Sequence, residues 1–345
     1  MFTMTLHDEI AEEIKSSGVI PFNRFMELAL YHPKLGFYAS GGAGRRQDFI
    51  TSPETGPLFG KLIANALDQW WRELGTPDPF YFIDAGAGTG TLAKSILRAE
   101  PSCRDALRYL AIEISDLQRS QHPDHVESFE RLPESVDTGI IFANELLDNL
   151  PFNIYQSDNN GNWLQVCVGL SGGSFHEVLA ECDPDQIKEF VVPEKAGIRI
   201  PDQIEARRWV SKALDSIQSG RIVVIDYALH SFPAPEGHQW LRTYRSHGYG
   251  ENPLEAPGSQ DITTDVDIHQ LSRVQKPDSI QSQQSWLKSL GIDALVKEGI
   301  QIWNKNAASP DVDALEARSR RTEAKALLDK RGLGGFQVIQ WSITH

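Results

Sequence analysis

Cysteine is scarce in this chain. Its 345 residues hold three, Cys103, Cys167 and Cys182, which are far apart and odd in number, and no Cys-x-x-Cys occurs. That argues against a disulfide framework or a cysteine zinc site; it suits a reducing, cytoplasmic location. Positive charge is also short. Lys and Arg number 33 against 47 Asp and Glu, a formal net charge of −14. Such a surface disfavours nucleic acid and anionic membrane as partners. No apolar run approaches the length of a membrane span. The opening "MFTMTLHDEIAEEIKSSG" has no basic start followed by an apolar run, and it lacks Arg richness. It is not expected to be a signal peptide or a presequence. Internal repeats and low-complexity tracts are missing as well.

What remains is a globular composition, 40% apolar and 23% charged. The length suits one large α/β domain with additions, or two domains. Helices are expected at 6–15 and 22–30, then an amphipathic helix in "PLFGKLIANALDQWWREL", whose Trp70–Trp71 pair reads as core. Strands follow at "FYFIDA", "ALRYLAIEIS", 126–129 and "TGIIFANE", alternating with helices. That order predicts a parallel sheet with helices on both faces. Between 152 and 200, "FNIYQ", "WLQVCVGL" and "SFHEVLAE" are joined by the hairpin turns "SDNNGN" and "SGG", an antiparallel insertion. A helix is expected at 203–218, stopped by Gly220, and then the buried strand "RIVVIDYA". A long Pro/Gly-marked loop spans about 229–265. Two helices, at 280–298 and 313–329, precede the last strand, "GFQVIQWSI". The domain reading is 1–76 as a helical and hairpin extension over the cofactor, and 77–345 as the catalytic domain.

The stretch "FIDAGAGTGTLAKSI" is the most informative. A strand ends in Asp84, and Gly86, Gly88 and Gly90 lead into a helix. A helix start offers free N–H groups and a positive dipole end. An NAD fingerprint needs a third glycine where Thr91 stands, with a ribose acid about 20 residues on; Glu113, the next acid at a strand end, comes later. A Walker loop needs Gly-Lys-Ser/Thr, which is missing. Asp84 would repel phosphate but suits an ammonium. The inferred ligand is S-adenosylmethionine, whose amino-acid end is zwitterionic and whose sulfonium is cationic. Glu113 would accept its ribose hydroxyls. The alternative is a turn that merely packs helix on strand.

The blocks "FMELALYHPKLGFYASGG", "DFITSPETGPLFGKLIANAL", "IDAGAGTGTLAKSIL", "ANELLDNLPFNIY", "IVVIDYA", "LRTYRSHGYGENPLEAPGSQDITTDVD" and "GFQVIQW" occur in that order. Together they resemble the MidA-like family of S-adenosylmethionine-dependent methyltransferases. Its mitochondrial member is an assembly factor of respiratory complex I that methylates a protein arginine. The resemblance implies an α/β fold: a seven-stranded Rossmann-like class I methyltransferase sheet with an N-terminal extension and an antiparallel insertion. It implies that Asp84, Gly86, Gly88 and Gly90 form the methionine-side loop and that Glu113 is the ribose acid. It sets Thr51, Ser52, Pro53 and Glu54 over the cofactor, and turns Asn144, Glu145 and Asp148 toward the methyl group. Gln47 and Ala228 stand where glycines are usual in the family.

An arginine acceptor is protonated, so its nucleophilic nitrogen needs an aligned carboxylate. Glu145 is the first candidate for that catalytic role and Asp148 the second; both also suit capping of a short helix before Pro151. Asp226, ending a buried strand, reads as substrate contact or cap. Tyr227 reads as a pocket wall or a core edge. Arg242, Arg245 and His247 read as a lid over substrate or as loop salt bridges. His122 and His125 share a Pro-containing loop with no third ligand near, so they are expected to be solvated, and no metal is expected. Three functions stay open: a methyltransferase acting on protein arginine, one acting on a small molecule or another residue, and a non-catalytic assembly protein with this fold. The expected partner is a protein presenting an arginine, and a homodimer is compatible with the sequence.

Overall fold

A computed structural model describes residues 4–40, 51–191, 195–245, 248–250 and 252–344. Gln47 and His247 lie outside the described residues. The chain divides into two compact units. The first comprises Met1–Ala43, Leu147–Val210 and Ala228–Val274; the second comprises Gly44–Leu146, Ser211–Tyr227 and Gln275–His345.

The second unit carries the expected seven-stranded sheet. Its strands are β1 (Phe80–Ala85), β2 (Leu107–Ile112), β3 (Glu127–Phe129), β4 (Val136–Asn144), β5 (Ile217–Asp226), β6 (Ser279–Ser282) and β7 (Gln337–Thr344), in the order β6-β7-β5-β4-β1-β2-β3. Strands β3, β2, β1, β4 and β5 run parallel, and β7 is antiparallel to both β5 and β6. A parallel sheet is covered on both faces, which is why its central strands read as unbroken apolar runs. Helix α1 (Pro57–Glu73) precedes β1 and helix α2 (Thr91–Arg98) follows it. Their buried faces join Phe82 and Phe142, whose rings lie 5.8 Å apart, in one apolar core with Trp70. The Trp71 indole, half-buried, donates to the Pro77 carbonyl at 2.9 Å, so the tryptophan pair serves the fold as expected. At the start of α1, the buried Glu323 carboxylate accepts the Leu58 N–H at 2.8 Å. An anion there complements the helix dipole.

The first unit holds the antiparallel insertion. Its sheet pairs Ile20–Pro21, Trp163–Ser171, Asn153–Ser157 and Arg199–Asp202 in that order, with Ser174–Glu181 against Trp163–Ser171. Helices Leu6–Ser17 and Phe22–Tyr31 contribute Ile10, Phe22, Phe25 and Met26 to its core, with Phe152, Val166 and Ile262.

Three local expectations change. The helix expected to reach 218 ends at Asp215, and β5 begins at Ile217. Gly220 is no helix stop: it lies inside β5 at φ 142°, and a Cβ there would sit 1.8 Å from the Gly139 carbonyl oxygen. The glycine is required by close approach of β4. The helix expected at 280–298 is a strand and two helices, β6, then α3 (Gln283–Ser289) and α4 (Ile292–Asn306), because the edge of β7 recruits Ser279–Ser282. The segment 229–265, expected to be one long loop, contains strands. Leu241–Arg245 pairs antiparallel with both Gly248–Tyr249 and Asp261–Thr264.

Candidate functional site

Asp84 is the penultimate residue of β1 and is 4% exposed. Its Oδ2 accepts the Tyr109 hydroxyl of β2 at 2.7 Å. Burial raises its pKa to about 7; the Tyr109 bond works against that, and the nearby Glu113 charge adds to it. Beyond Asp84 the chain turns sharply. The Gly86 and Ala87 N–H groups both donate to the Ile112 carbonyl, at 2.9 and 3.0 Å, which pins the loop to the end of β2. Gly86, Gly88 and Gly90 have φ of 74°, 55° and 74°, in the left-handed region that side chains disfavour. At Gly88 a Cβ would meet nothing within 4 Å, so the space on that side of the loop is open. Helix α2 then starts with no side-chain cap from Gly90. An acid beneath a bare loop and a helix start suits a ligand that carries an ammonium and nearby hydrogen-bond acceptors.

Glu113 follows β2 and is 7% exposed. Its Oε2 accepts the Gly88 N–H at 3.0 Å and its Oε1 the Ser115 N–H at 2.9 Å. Burial raises its pKa, while the N–H donors of Ser115 and Gly88 oppose the rise. Each oxygen keeps a second lone pair with which to accept a hydroxyl. Asp84, the three glycines and Glu113 are thus brought together.

His122 departs from its expected role. It is half-buried, and its Nε2 lies 2.8 Å from the Gly88 carbonyl and its Nδ1 2.7 Å from Ser128 Oγ. A carbonyl only accepts, so Nε2 carries the proton. Burial lowers the imidazole's pKa and keeps it neutral. Gly88 is therefore held at its N–H by Glu113 and at its C=O by His122. His125 is exposed, as expected. Tertiary contact alone distinguishes the two histidines, and no sequence pattern marks it.

Strand β4 ends at Asn144 and the chain leaves through Glu145. Glu145 has φ 53°, a left-handed conformation unusual outside glycine. Its N–H donates to the Ile225 carbonyl of β5 at 2.8 Å, and its Oε1 accepts Asn144 Nδ2 at 2.9 Å. Next to it in the sheet, Asp226 ends β5, fully buried, with its Oδ1 accepting the Tyr227 N–H at 2.9 Å. The Tyr227 ring packs on Phe336 with centroids 4.0 Å apart, a core-edge contact. Thr51 precedes a short 3-10 turn, Ser52–Thr55, and its N–H donates to Glu54 Oε2 at 3.4 Å. Pro53 lies within that turn.

Asp148 and Arg245 belong to the other unit. Asp148 is buried in the turn Leu147–Asn149, and Arg245 is exposed at the end of Leu241–Arg245. Arg242, in the same strand, donates through Nη2 to Asp265 Oδ1 at 2.7 Å. That is the loop salt bridge offered as its alternative role.

A family model described as "Putative S-adenosyl-L-methionine-dependent methyltransferase" matches residues 62–285. The chain is 28% identical over 339 residues to the mitochondrial protein arginine methyltransferase NDUFAF7 of Rattus norvegicus, covering 83% of this chain and 74% of that one. It is 27% identical over 304 residues to the mitochondrial NDUFAF7 homolog of Drosophila melanogaster, covering 76% and 68% respectively. A Burkholderia thailandensis protein crystallised with S-adenosyl-homocysteine superposes with a TM-score of 0.85 at 25% identity, over 98% of this chain and 91% of that one.

Proposed function

The chain belongs to the MidA-like family of S-adenosylmethionine-dependent methyltransferases, and from that premise we propose that it methylates an arginine side chain of a protein. Glu145 is the observation that carries the reading. A carboxylate held at a strand tip in a left-handed backbone, with Asn144 fixing one oxygen, is strained. Such strain gathers where function demands a set orientation.

The residues fit the donor. We assign its ammonium to Asp84, its close backbone approach to the Gly86–Gly90 turn and its ribose hydroxyls to Glu113. Thr51, Pro53, Glu54 and Asn144 complete the assigned contacts; Ser52, fully buried, gives its hydroxyl to Gln283 instead. When bound, the donor supplies a methyl carbon already activated by its sulfonium. The protein's part is to position and desolvate the reactants. Glu145 holds the protonated guanidinium by paired N–H···O bonds and takes the proton that the methylated nitrogen sheds. The strained backbone aims the carboxylate before the acceptor arrives, so little ordering is left for the reaction itself.

The arginine assignment is supported by the relatives' names and by an acidic surface suited to a basic segment. It is tested by incubating the protein and labelled donor with a lysate of cells that lack it, then identifying the labelled residue by mass spectrometry. Label on arginine is expected. Label on lysine or on a small metabolite contradicts the arginine assignment and leaves the methyltransferase class intact.

A further inference from the structure

One buried side-chain group in the second unit has no part in the chemistry above. Gln283 opens helix α3 and is 0% exposed. Its backbone N–H donates to the Phe336 carbonyl at 2.7 Å. Its side-chain Oε1 accepts the hydroxyl of Ser52, itself 0% exposed, at 3.1 Å. Among the described residues, its Nε2 has no hydrogen-bond partner. A buried amide half-satisfied in this way is costly, and native proteins seldom keep one without a use. Turning the amide over would exchange the atoms without removing the cost, because Ser52 can meet only one end of it.

The position is informative. Strand β6 ends at Ser282, which pairs with Gln337, which in turn pairs with Asp226. Because β6 runs in the same direction as β5, Gln283 emerges at the edge of the sheet where β1, β4 and β5 end. Ser52 begins the turn Ser52–Thr55, which the family resemblance implies lies over the donor. That edge is rich in acids: Asp84, Glu113, Glu145 and Asp226. Acids suit the donor's ammonium, its ribose hydroxyls and a guanidinium. None suits the α-carboxylate of the methionyl end, which needs N–H donors.

We propose that Gln283 Nε2 donates a hydrogen bond to the α-carboxylate of the methyl donor, and that Ser52 fixes the amide for that role. The assignment rests on the donor reading given above. It makes Ser52 a positioning residue, acting through Gln283 rather than on the ligand.

Two nucleosides separate this role from a structural one. S-adenosylhomocysteine carries the amino-acid end, and 5′-methylthioadenosine lacks it. Calorimetry on the full chain is expected to show Gln283→Met binding S-adenosylhomocysteine about tenfold more weakly, the scale of one charge-linked hydrogen bond. Binding of 5′-methylthioadenosine should be unchanged, which also reports that the variant is folded. Gln283→Glu should lose at least as much, since it sets an anion against the carboxylate. Tighter binding by Gln283→Glu would mean that the free amide atom is the oxygen and would overturn the proposal. So would equal losses for both nucleosides, or no loss for either. Where Gln283→Met does not fold, Ser52→Ala leaves the amide in place but unfixed. It should weaken S-adenosylhomocysteine several-fold and spare 5′-methylthioadenosine, and equal effects on the two overturn the proposal. Wild-type protein that binds neither nucleoside contradicts the donor reading itself, an outcome distinct from wild type and Gln283→Met binding alike.

Discussion

The Tyr109 hydroxyl reaches across from β2 to donate to Asp84 at 2.7 Å, on a buried face where Tyr109 pairs with Phe82 two residues before the acid. This is the main support for a carboxylate that burial would otherwise keep protonated. With its pKa raised to about 7, Asp84 is about half ionised at neutral pH without donor. An ammonium favours the ionised form. Binding the donor should therefore release a proton below about pH 7, and affinity should rise as pH climbs through 7 and then level off. Calorimetry in two buffers of different ionisation enthalpy measures the proton. Tyr109→Phe removes the bond that favours ionisation and should move the affinity midpoint to higher pH. Affinity that is flat with pH, with no proton released, would count against Asp84 as the ammonium's partner.

The same shift predicts a stability effect. A raised acid pKa favours folding most below the unfolded value of 3.8, and that contribution fades as pH rises through about 7. Asp84→Asn removes the cost of ionising a buried group. Without donor, its melting temperature at pH 8 should equal or exceed that of wild type, while donor affinity collapses. A large fall in melting temperature at pH 8 would show that Asp84 serves the fold instead.

Glu113 supports the glycine turn and, in our assignment, the ribose. Glu113→Ala should weaken donor binding by roughly 1.5–3 kcal/mol, the range for hydrogen bonds to a charged group. Glu113→Gln keeps one acceptor oxygen and should lose less. Calorimetry and a denaturant melt separate the effects. A variant that melts early yet binds normally in its folded fraction would assign Glu113 to structure alone.

Two glycines should fail in different ways. Gly220→Ala drives a Cβ into the Gly139 carbonyl, 1.8 Å away. It should cost more than about 3 kcal/mol of stability or prevent folding. Gly88→Ala meets open space and should cost only about 1 kcal/mol for its left-handed backbone. Its donor affinity should nevertheless fall, because our assignment brings the ligand to the loop's open face. Melting curves with and without S-adenosylhomocysteine check both.

The cluster of Asp84, the glycine turn and Glu113, to which we assign the donor, is legible because its residues are close in sequence. Asp84 and the glycines lie within one turn, and an apolar strand announces Glu113. What stayed hidden is held by distant partners. Ser52 and Gln283 are 231 positions apart, and Glu323 meets the start of α1 from near the other end of the chain. His122 looked like a loop residue because nothing local shows that its loop folds back on Gly88. Gly220 was misread because a glycine after a helix usually ends it, whereas here a neighbouring strand's carbonyl excludes any side chain. The sequence 280–298 was read as one helix because a strand at a sheet edge is set by its partner, and β7 is remote in sequence.

Glu145 carries the central claim. Its left-handed backbone makes Glu145→Gly a test of strain: the variant should be more stable by about 1 kcal/mol and inactive. No gain in stability, measured by denaturant unfolding, would remove strain from the account.

The most direct test compares Glu145→Gln with wild type for donor affinity and for the rate of labelled-methyl transfer to arginine in the same protein acceptor. Donor affinity should be unchanged, since the assigned ammonium and ribose contacts lie elsewhere. The transfer rate should fall by roughly 10²-fold or more, the scale of a positioned acid–base group. Transfer at the wild-type rate, or an equal loss of donor binding and transfer, would contradict the account.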